Sequence, residues 1–194
     1  MYEVEVKVRA DHDDVRARLA DLGADPVNRV MQSDIYYDAP HRDFAETDEA
    51  LRVREETDAD SGETVTRLTY KGPLVEAESK TRREVETAVG DADTAADILD
   101  ALGFEAAATV EKERQRFALN GYTVTLDSVA GLGEFVEVET EAEGGSEAET
   151  AGESVANARE GAFAVLRDLD LDPGDQIRTS YLGLLLAEES DGTE

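Results

Sequence analysis

The chain has 194 residues, with 19 Lys+Arg against 47 Asp+Glu and a net charge of −28. That length holds one domain with a sizeable core, or two small ones. The charge excludes a basic nucleic-acid binder, which must neutralise phosphates with Lys and Arg, and it disfavours an anionic membrane surface as partner.

The opening Tyr2-Glu-Val-Glu-Val-Lys-Val-Arg-Ala10 alternates strictly. Val4, Val6 and Val8 fall on one face and Glu3, Glu5, Lys7 and Arg9 on the other, as in a strand with one apolar side. Asp11 reads as the N-cap of a short helix carrying Val15, Leu19 and Leu22 and ending at Gly23. A strand over 28–38 stops before Pro40. Strands over 50–55 and 64–71 flank the polar loop 57–63, and Gly72-Pro73 closes the second. Another alternating strand covers 80–89, and a helix with Ala96, Leu99 and Leu102 on one side ends at Gly103. Strands over 109–119 and 122–128 meet at Asn120-Gly121, a tight-hairpin signal. The last strand covers 132–139, the acidic stretch 140–153 reads as a mobile loop, and helices follow over about 154–169 and 179–187. Residues 188–194 read as a disordered tail. Leu19–Asp25 and Leu99–Glu105 form a faint repeat offset by 80 residues, each between two alternating strands. Two similar halves with about eight strands predict an α+β fold: an antiparallel closed barrel with helices packed outside, one domain over 1–187.

No apolar run approaches the roughly 20 residues of a membrane span, and the N-terminus lacks the layout of a signal peptide, so a cytoplasmic protein is expected. There is no cysteine, which excludes disulfides and thiolate chemistry. Only four of the 19 cations are lysines: Lys7, Lys71, Lys80 and Lys112.

The polar strand faces carry the information. Arg52 and Arg54 are in phase, as are Arg67, Thr69 and Lys71, then Arg82, Glu84 and Glu86, then Lys112, Arg114 and Arg116. Asp127 ends one strand, and Glu137 and Glu139 share a face on the last. One reading is a half-exposed sheet with this face in water. The other is a charged tunnel for a metal–polyphosphate, since Mg²⁺ and Mn²⁺ take carboxylate oxygens while Arg and Lys bind phosphate. Cations gathered on the strands of so acidic a chain favour the second.

Several of these segments resemble, in order, the motifs of the CYTH superfamily, the triphosphate tunnel metalloenzymes. They are Glu3-Val-Glu-Val-Lys7, Asp34-Ile-Tyr-Tyr-Asp38, Leu51-Arg-Val-Arg54, Tyr70-Lys-Gly-Pro73, Val110-Glu-Lys-Glu-Arg114, the run Val124–Glu139 and Ser180-Tyr181. The likeness covers roughly 1–187 and is strongest to class IV adenylate cyclases. It implies an eight-stranded tunnel holding a triphosphate with Mg²⁺ or Mn²⁺. Carried over residue by residue, Glu3, Glu5 and Glu137 are expected metal ligands with Asp127 assisting. Lys7, Arg52, Arg54, Lys71, Lys112 and Arg114 are expected to hold phosphates. Arg82, Arg116, Glu84, Glu86 and Glu139 share the inward phase, with Arg82 added to the phosphate set and Glu139 to the metal set; each also fits an interior salt bridge.

The implied activity is conversion of ATP to cyclic AMP and pyrophosphate. The alternative is a triphosphatase acting on tripolyphosphate, thiamine triphosphate or a nucleotide, and a third is a non-catalytic polyphosphate-binding module. The general base stays open among an acid, a lysine and metal-bound hydroxide. His12 and His41 lie outside the charged rows and read as surface residues, and Tyr36 and Tyr37 as barrel packing. A barrel with external helices is compatible with a homodimer. The acid-rich, lysine-poor composition is similar to that of salt-in haloarchaea, the alternative being an ordinary acidic protein.

Overall fold

The computed structural model describes residues 2–74, 82–142 and 148–191. Eight antiparallel strands close into a barrel in the order β1-β5-β4-β3-β2-β6-β7-β8. They are β1 (Tyr2–Arg9), β2 (Asp25–Asp38), β3 (Ala50–Asp58), β4 (Thr64–Leu74), β5 (Arg82–Val89), β6 (Glu105–Leu119), β7 (Tyr122–Val129) and β8 (Gly133–Ala142). The helices are α1 (His12–Asp21), the single turn α2 (Phe44–Thr47), α3 (Ala92–Ala101), α4 (Ala148–Asp168) and α5 (Tyr181–Asp191).

The repeat glimpsed in the sequence is structural. β1, α1 and β2 recur as β5, α3 and β6, each beginning 80 residues later. Asp11 and Asp91 cap the paired helices through their side chains, and Gly23 and Gly103 follow them at positive φ, where a side chain is disfavoured. Asn120 and Gly121 both take positive φ, as a two-residue hairpin between twisted strands requires.

Strand alternation places the apolar core outside the barrel wall. Val4, Val6 and Val8 are at most 1% exposed. Val6 and Val8 pack with Val136, Val138, Val124 and Leu126 against Leu19 of α1 and Ala162, Val165 and Leu166 of α4. Ala95 and Leu99 of α3 cover Tyr37 and Val53 on the other half. At one end, Tyr181 of α5 packs on Val110, Val129, Leu132 and Phe135. Each strand's opposite face, the charged one, is thereby turned inward.

The seam between β1 and β5 is short, with Tyr2 opposite Arg83 and Glu3 opposite Arg82. Further along β1, the chain before α5 takes over part of this free edge, where the Ile177 N–H donates to the Lys7 carbonyl at 2.7 Å. A strand edge covered by a loop is protected from stray pairing.

Several boundaries differ from those expected. β2 begins at Asp25 and β6 at Glu105, because each pairs with the other almost from end to end. α4 begins at Ala148, so part of the expected acidic loop is helical; residues 143–147 lie outside those described. β5 begins at Arg82, and Lys80 lies outside the described residues. α5 runs from Tyr181 to Asp191, past the point where a tail was expected to begin.

Gly161 marks the closest approach of α4 to the barrel. A methyl group there would lie 1.8 Å from the Tyr122 hydroxyl, which donates to the Ala158 carbonyl at 3.1 Å. Gly161→Ala is therefore expected to destabilise by about 1–3 kcal/mol through overpacking, despite the gain of about 1 kcal/mol in helix propensity. The urea unfolding midpoint checks this, and an unchanged or raised midpoint contradicts it.

Candidate functional site

The inward faces enclose a cavity of about 510 Å³ lined almost wholly by charged side chains. Glu3 and Glu5 from β1 and Glu139 from β8 form its acidic pole, with one oxygen of each within 4.8 Å of the others. Strand register forces this meeting, because Glu5 lies directly opposite Glu139. Burial pushes Glu139 up to about 7; Arg114 opposes the shift, while Glu3, Glu137 and Glu5 add to it. Burial also raises Glu3, against the attraction of Lys71. Glu3 and Glu5 add to the raised proton affinity of Glu139, and these three half-buried carboxylates, with Lys71 bound to Glu3, are a hard-oxygen donor set that fits Mg²⁺ or Mn²⁺.

Cations line much of the remaining wall, in two states of engagement. Arg54 is held by a buried fork, with Nε and Nη2 donating to the two oxygens of Asp34 at 2.5 and 2.6 Å. Arg114 forms a second fork onto Asp127 at 2.7 and 2.5 Å, and its Nη2 also reaches Glu137 at 2.5 Å. Both aspartates are fully buried. Lys71 is held by Glu84 at 2.7 Å and Glu3 at 3.1 Å. Arg82 donates to the Asp48 carbonyl at 2.7 Å and its carboxylate at 3.1 Å.

The other cations are less committed. Arg52 meets Asp34 and Glu84 only at 3.6 and 3.8 Å, and its buried Nε has no hydrogen-bond partner. Lys112 approaches Asp34 at 3.8 Å and lies 5.0 Å above the Tyr181 ring. Burial and the adjacent Arg114 push Lys112 down to about 7, with Asp127 and Asp34 opposing. Lys7 donates to the Thr179 carbonyl at 2.9 Å and lies 4.0 Å above the same ring. The Tyr181 hydroxyl donates to Asp127 at 2.9 Å, fixing the ring at this end of the cavity.

The structure thus brings all seven expected cations to one cavity, but regroups the acids. Of the five expected metal ligands, Glu3, Glu5 and Glu139 meet at one pole, whereas Glu137 and Asp127 are paired with Arg114. The reason is register: Arg114 lies opposite Asp127, and Glu137 lies one inward position along β8 from Glu139. Arg116 and Arg67 instead share Glu56, with Arg67 also bound to Glu86. A second cavity of about 620 Å³ opens beside the acidic pole, lined by Glu3, Glu84, Glu86, Glu139 and Glu141 among others.

His12 corrects a surface assignment. It is 2% exposed, and its Nε2 donates to the Phe135 carbonyl at 3.0 Å, so it joins α1 to β8. Tyr37 packs as expected, but Tyr36 lines the cavity. Asp34 was missed as a site residue. Its sequence signals were its place at the head of the Asp34-Ile-Tyr-Tyr-Asp38 motif and its phase, alternating with Tyr36 and Gln32 on a strand whose partners carry Arg54 and Lys112.

Glu139 ties stability to pH. Its proton affinity is higher in the fold than in the unfolded chain, so its contribution is present below pH 4.5 and is lost as pH rises through about 7. A bound divalent cation removes that cost. Mg²⁺ or Mn²⁺ should therefore raise Tm more at about pH 8 than at about pH 5.5, and Glu139→Gln should shrink that difference. Equal metal-induced shifts at both pH values would contradict the assignment of this pole.

The model of the CYTH domain matches residues 1–181. A protein of Methanocaldococcus jannaschii named "Putative adenylate cyclase" is 35% identical over 185 residues, 95% of this chain and 98% of that one. Adenylate cyclase CyaB of Aeromonas hydrophila is 32% identical over 139 residues, 71% of this chain and 68% of its own. A solved Pyrococcus horikoshii structure has a TM-score of 0.82 at 37% identity, covering 96% of this chain and 99% of that chain. With a closed barrel of charged interior matched along nearly its whole length, the chain belongs to the CYTH domain family.

Proposed function

We propose that this protein is a metal-dependent adenylate cyclase that takes the triphosphate of ATP into its tunnel and forms cyclic AMP and pyrophosphate. One observation carries the reading: a carboxylate trio shares an enclosed cavity with three incompletely engaged cations, Lys7, Arg52 and Lys112. A carboxylate pole for a divalent ion beside donors for phosphate oxygens is what a metal–triphosphate requires. The names of the two curated relatives support the choice of reaction.

In this reading Glu3, Glu5 and Glu139 hold the metal, which when bound neutralises charge on the phosphate oxygens. Arg52, Lys7 and Lys112 bind and orient the chain of phosphates. Arg54, Arg114 and Lys71, already neutralised by acids, shape the wall and offer their remaining donors. The ribose 3′ hydroxyl attacks the α-phosphorus as the bond to the pyrophosphate oxygen breaks, and its proton passes to an acidic side chain of the tunnel or to solvent. The wall stabilises the charge that accumulates on the departing pyrophosphate. Tyr181 closes one end against water, which would otherwise compete with the 3′ hydroxyl.

A second reading is a triphosphatase, in which water attacks a terminal phosphorus. It is favoured by the composition of the lining, where Tyr36, Ala50, Tyr181 and Leu182 are the residues that are neither charged nor small and polar. Such a wall recognises phosphates well and offers little apolar surface to select a base.

Incubation with Mn²⁺ or Mg²⁺ in high KCl, with ATP or tripolyphosphate, separates the two. Cyclic AMP and pyrophosphate are expected from ATP; orthophosphate from tripolyphosphate without any cyclic product overturns the cyclase reading. Glu5→Gln is expected to lower turnover about 100-fold or more, and Arg52→Ala to lower it about 100-fold through lost phosphate stabilisation. Full activity in Glu5→Gln would refute the metal pole.

A further inference from the structure

We propose that Asp34 is the positioning residue of the phosphate-binding wall, a single buried carboxylate that aims Arg52, Arg54 and Lys112 into the tunnel. This deepens the triphosphate reading and rests on it. Asp34 does not line the cavity, whereas all three cations do. Its side chain is fully buried behind them. It grips Arg54 by both oxygens, lies 3.6 Å from Arg52 and 3.8 Å from Lys112, and therefore faces three cations at once.

The strand register explains how one residue reaches all three. Asp34 is directly opposite Arg54 on β3, while its inward neighbours Tyr36 and Gln32 are opposite Arg52 on β3 and Lys112 on β6. The carboxylate thus sits at the centre of a patch drawn from three strands. The three cations hold it well below the usual carboxylate range although burial opposes them, so it stays charged wherever the fold survives.

The cations need it in turn. Three like charges a few ångströms apart in a low-dielectric wall repel strongly, and only an interposed anion lets them share one surface. The fork occupies Nε and Nη2 of Arg54, which fixes the guanidinium plane and leaves Nη1 for a ligand. Arg52 and Lys112 receive charge neutralisation from Asp34 without a short bond, so it does not itself occupy their donors. A bidentate grip on every cation would have spent the site's capacity before a phosphate arrived.

Lys112 is the reporter for this role. Asp34 faces it from β2, Arg54 from β3, Arg114 from its own strand, Asp127 from β7, Glu137 from β8, Lys7 from β1 and Tyr181 from α5. Removing the charge of Asp34 removes one of the anions that favour its protonated form, leaving Asp127 and Glu137. The ammonium is then lost at lower pH, and with it one phosphate contact.

The test is tripolyphosphate binding by calorimetry in the presence of EDTA, so that no turnover intrudes. Asp34→Asn keeps the shape and removes the charge. It is expected to weaken binding tenfold or more at about pH 8 and distinctly less at about pH 6, with Asp34→Glu recovering part of the loss. Adding Lys112→Arg, whose guanidinium does not titrate in this range, should abolish the difference between the two pH values. An unchanged affinity, or an equal loss at both pH values, overturns the proposal. Should the single variant fail to fold, Asp34→Asn with Arg54→Met removes both halves of the fork, and a pH profile identical to that of Arg54→Met alone overturns it equally. Failure of the wild type to bind tripolyphosphate either in EDTA or with Mg²⁺ added would instead sink the triphosphate reading.

Discussion

The structure depends on neutralising charge inside a closed barrel. Strand alternation commits one face of each strand to a cavity walled by protein, and in this chain that face is ionic. Buried ions cost several kcal/mol each to desolvate, a cost that well-placed partners offset only in part. The interior is accordingly built from paired groups, of which the Asp34–Arg54 and Asp127–Arg114 forks are the most enclosed. The favourable term comes from elsewhere, from apolar layers between the outer face of the wall and helices α1, α3 and α4. The core supports a site that would not hold itself together.

Neutralisation is incomplete, and its unevenness gives the tunnel its polarity. Where acids outnumber cations, burial and the neighbouring Glu3 and Glu5 raise the proton affinity of Glu139, and the three together fit a bound cation. Where cations outnumber acids, Arg52 keeps an unpartnered Nε and Lys112 is pushed toward loss of its proton. Both imbalances would be relieved together by one ligand carrying a metal on one side and phosphates on the other. A lysine suits the second pole because its charge responds to surroundings, while the arginines supply fixed forks.

The net charge of −28 describes the molecule poorly at the scale of the site. It argues against binding long nucleic acids on the outer surface. It carries no such message for a small anion inside the barrel, where local pairs rather than the summed field decide the energy. No helix of the described residues is long and apolar enough to cross a membrane.

Much of the architecture was legible in the chain. The alternation in Tyr2–Arg9, the cap at Asp11, the Asn120-Gly121 turn and the 80-residue repeat each report on a local rule of backbone geometry. The inward phase of Lys7, Arg52, Arg54, Lys112 and Arg114 followed from the same period of two. Pairing did not follow, because which cation meets which acid depends on the register between strands distant in sequence. Lys112 and Asp34 lie 78 positions apart in the chain, and Lys71 and Glu3 lie 68 apart, yet they are neighbours across the tunnel. Hence neither the hold of Arg114 on Asp127 and Glu137 nor the three cations gathered around Asp34 could be read from the chain. The sequence by itself determined the barrel and the chemical character of its interior, since both are set by residue type and local periodicity. Only the tertiary structure decided which charges are spent on one another and which are left for a ligand, since that depends on distances that closure of the barrel alone creates.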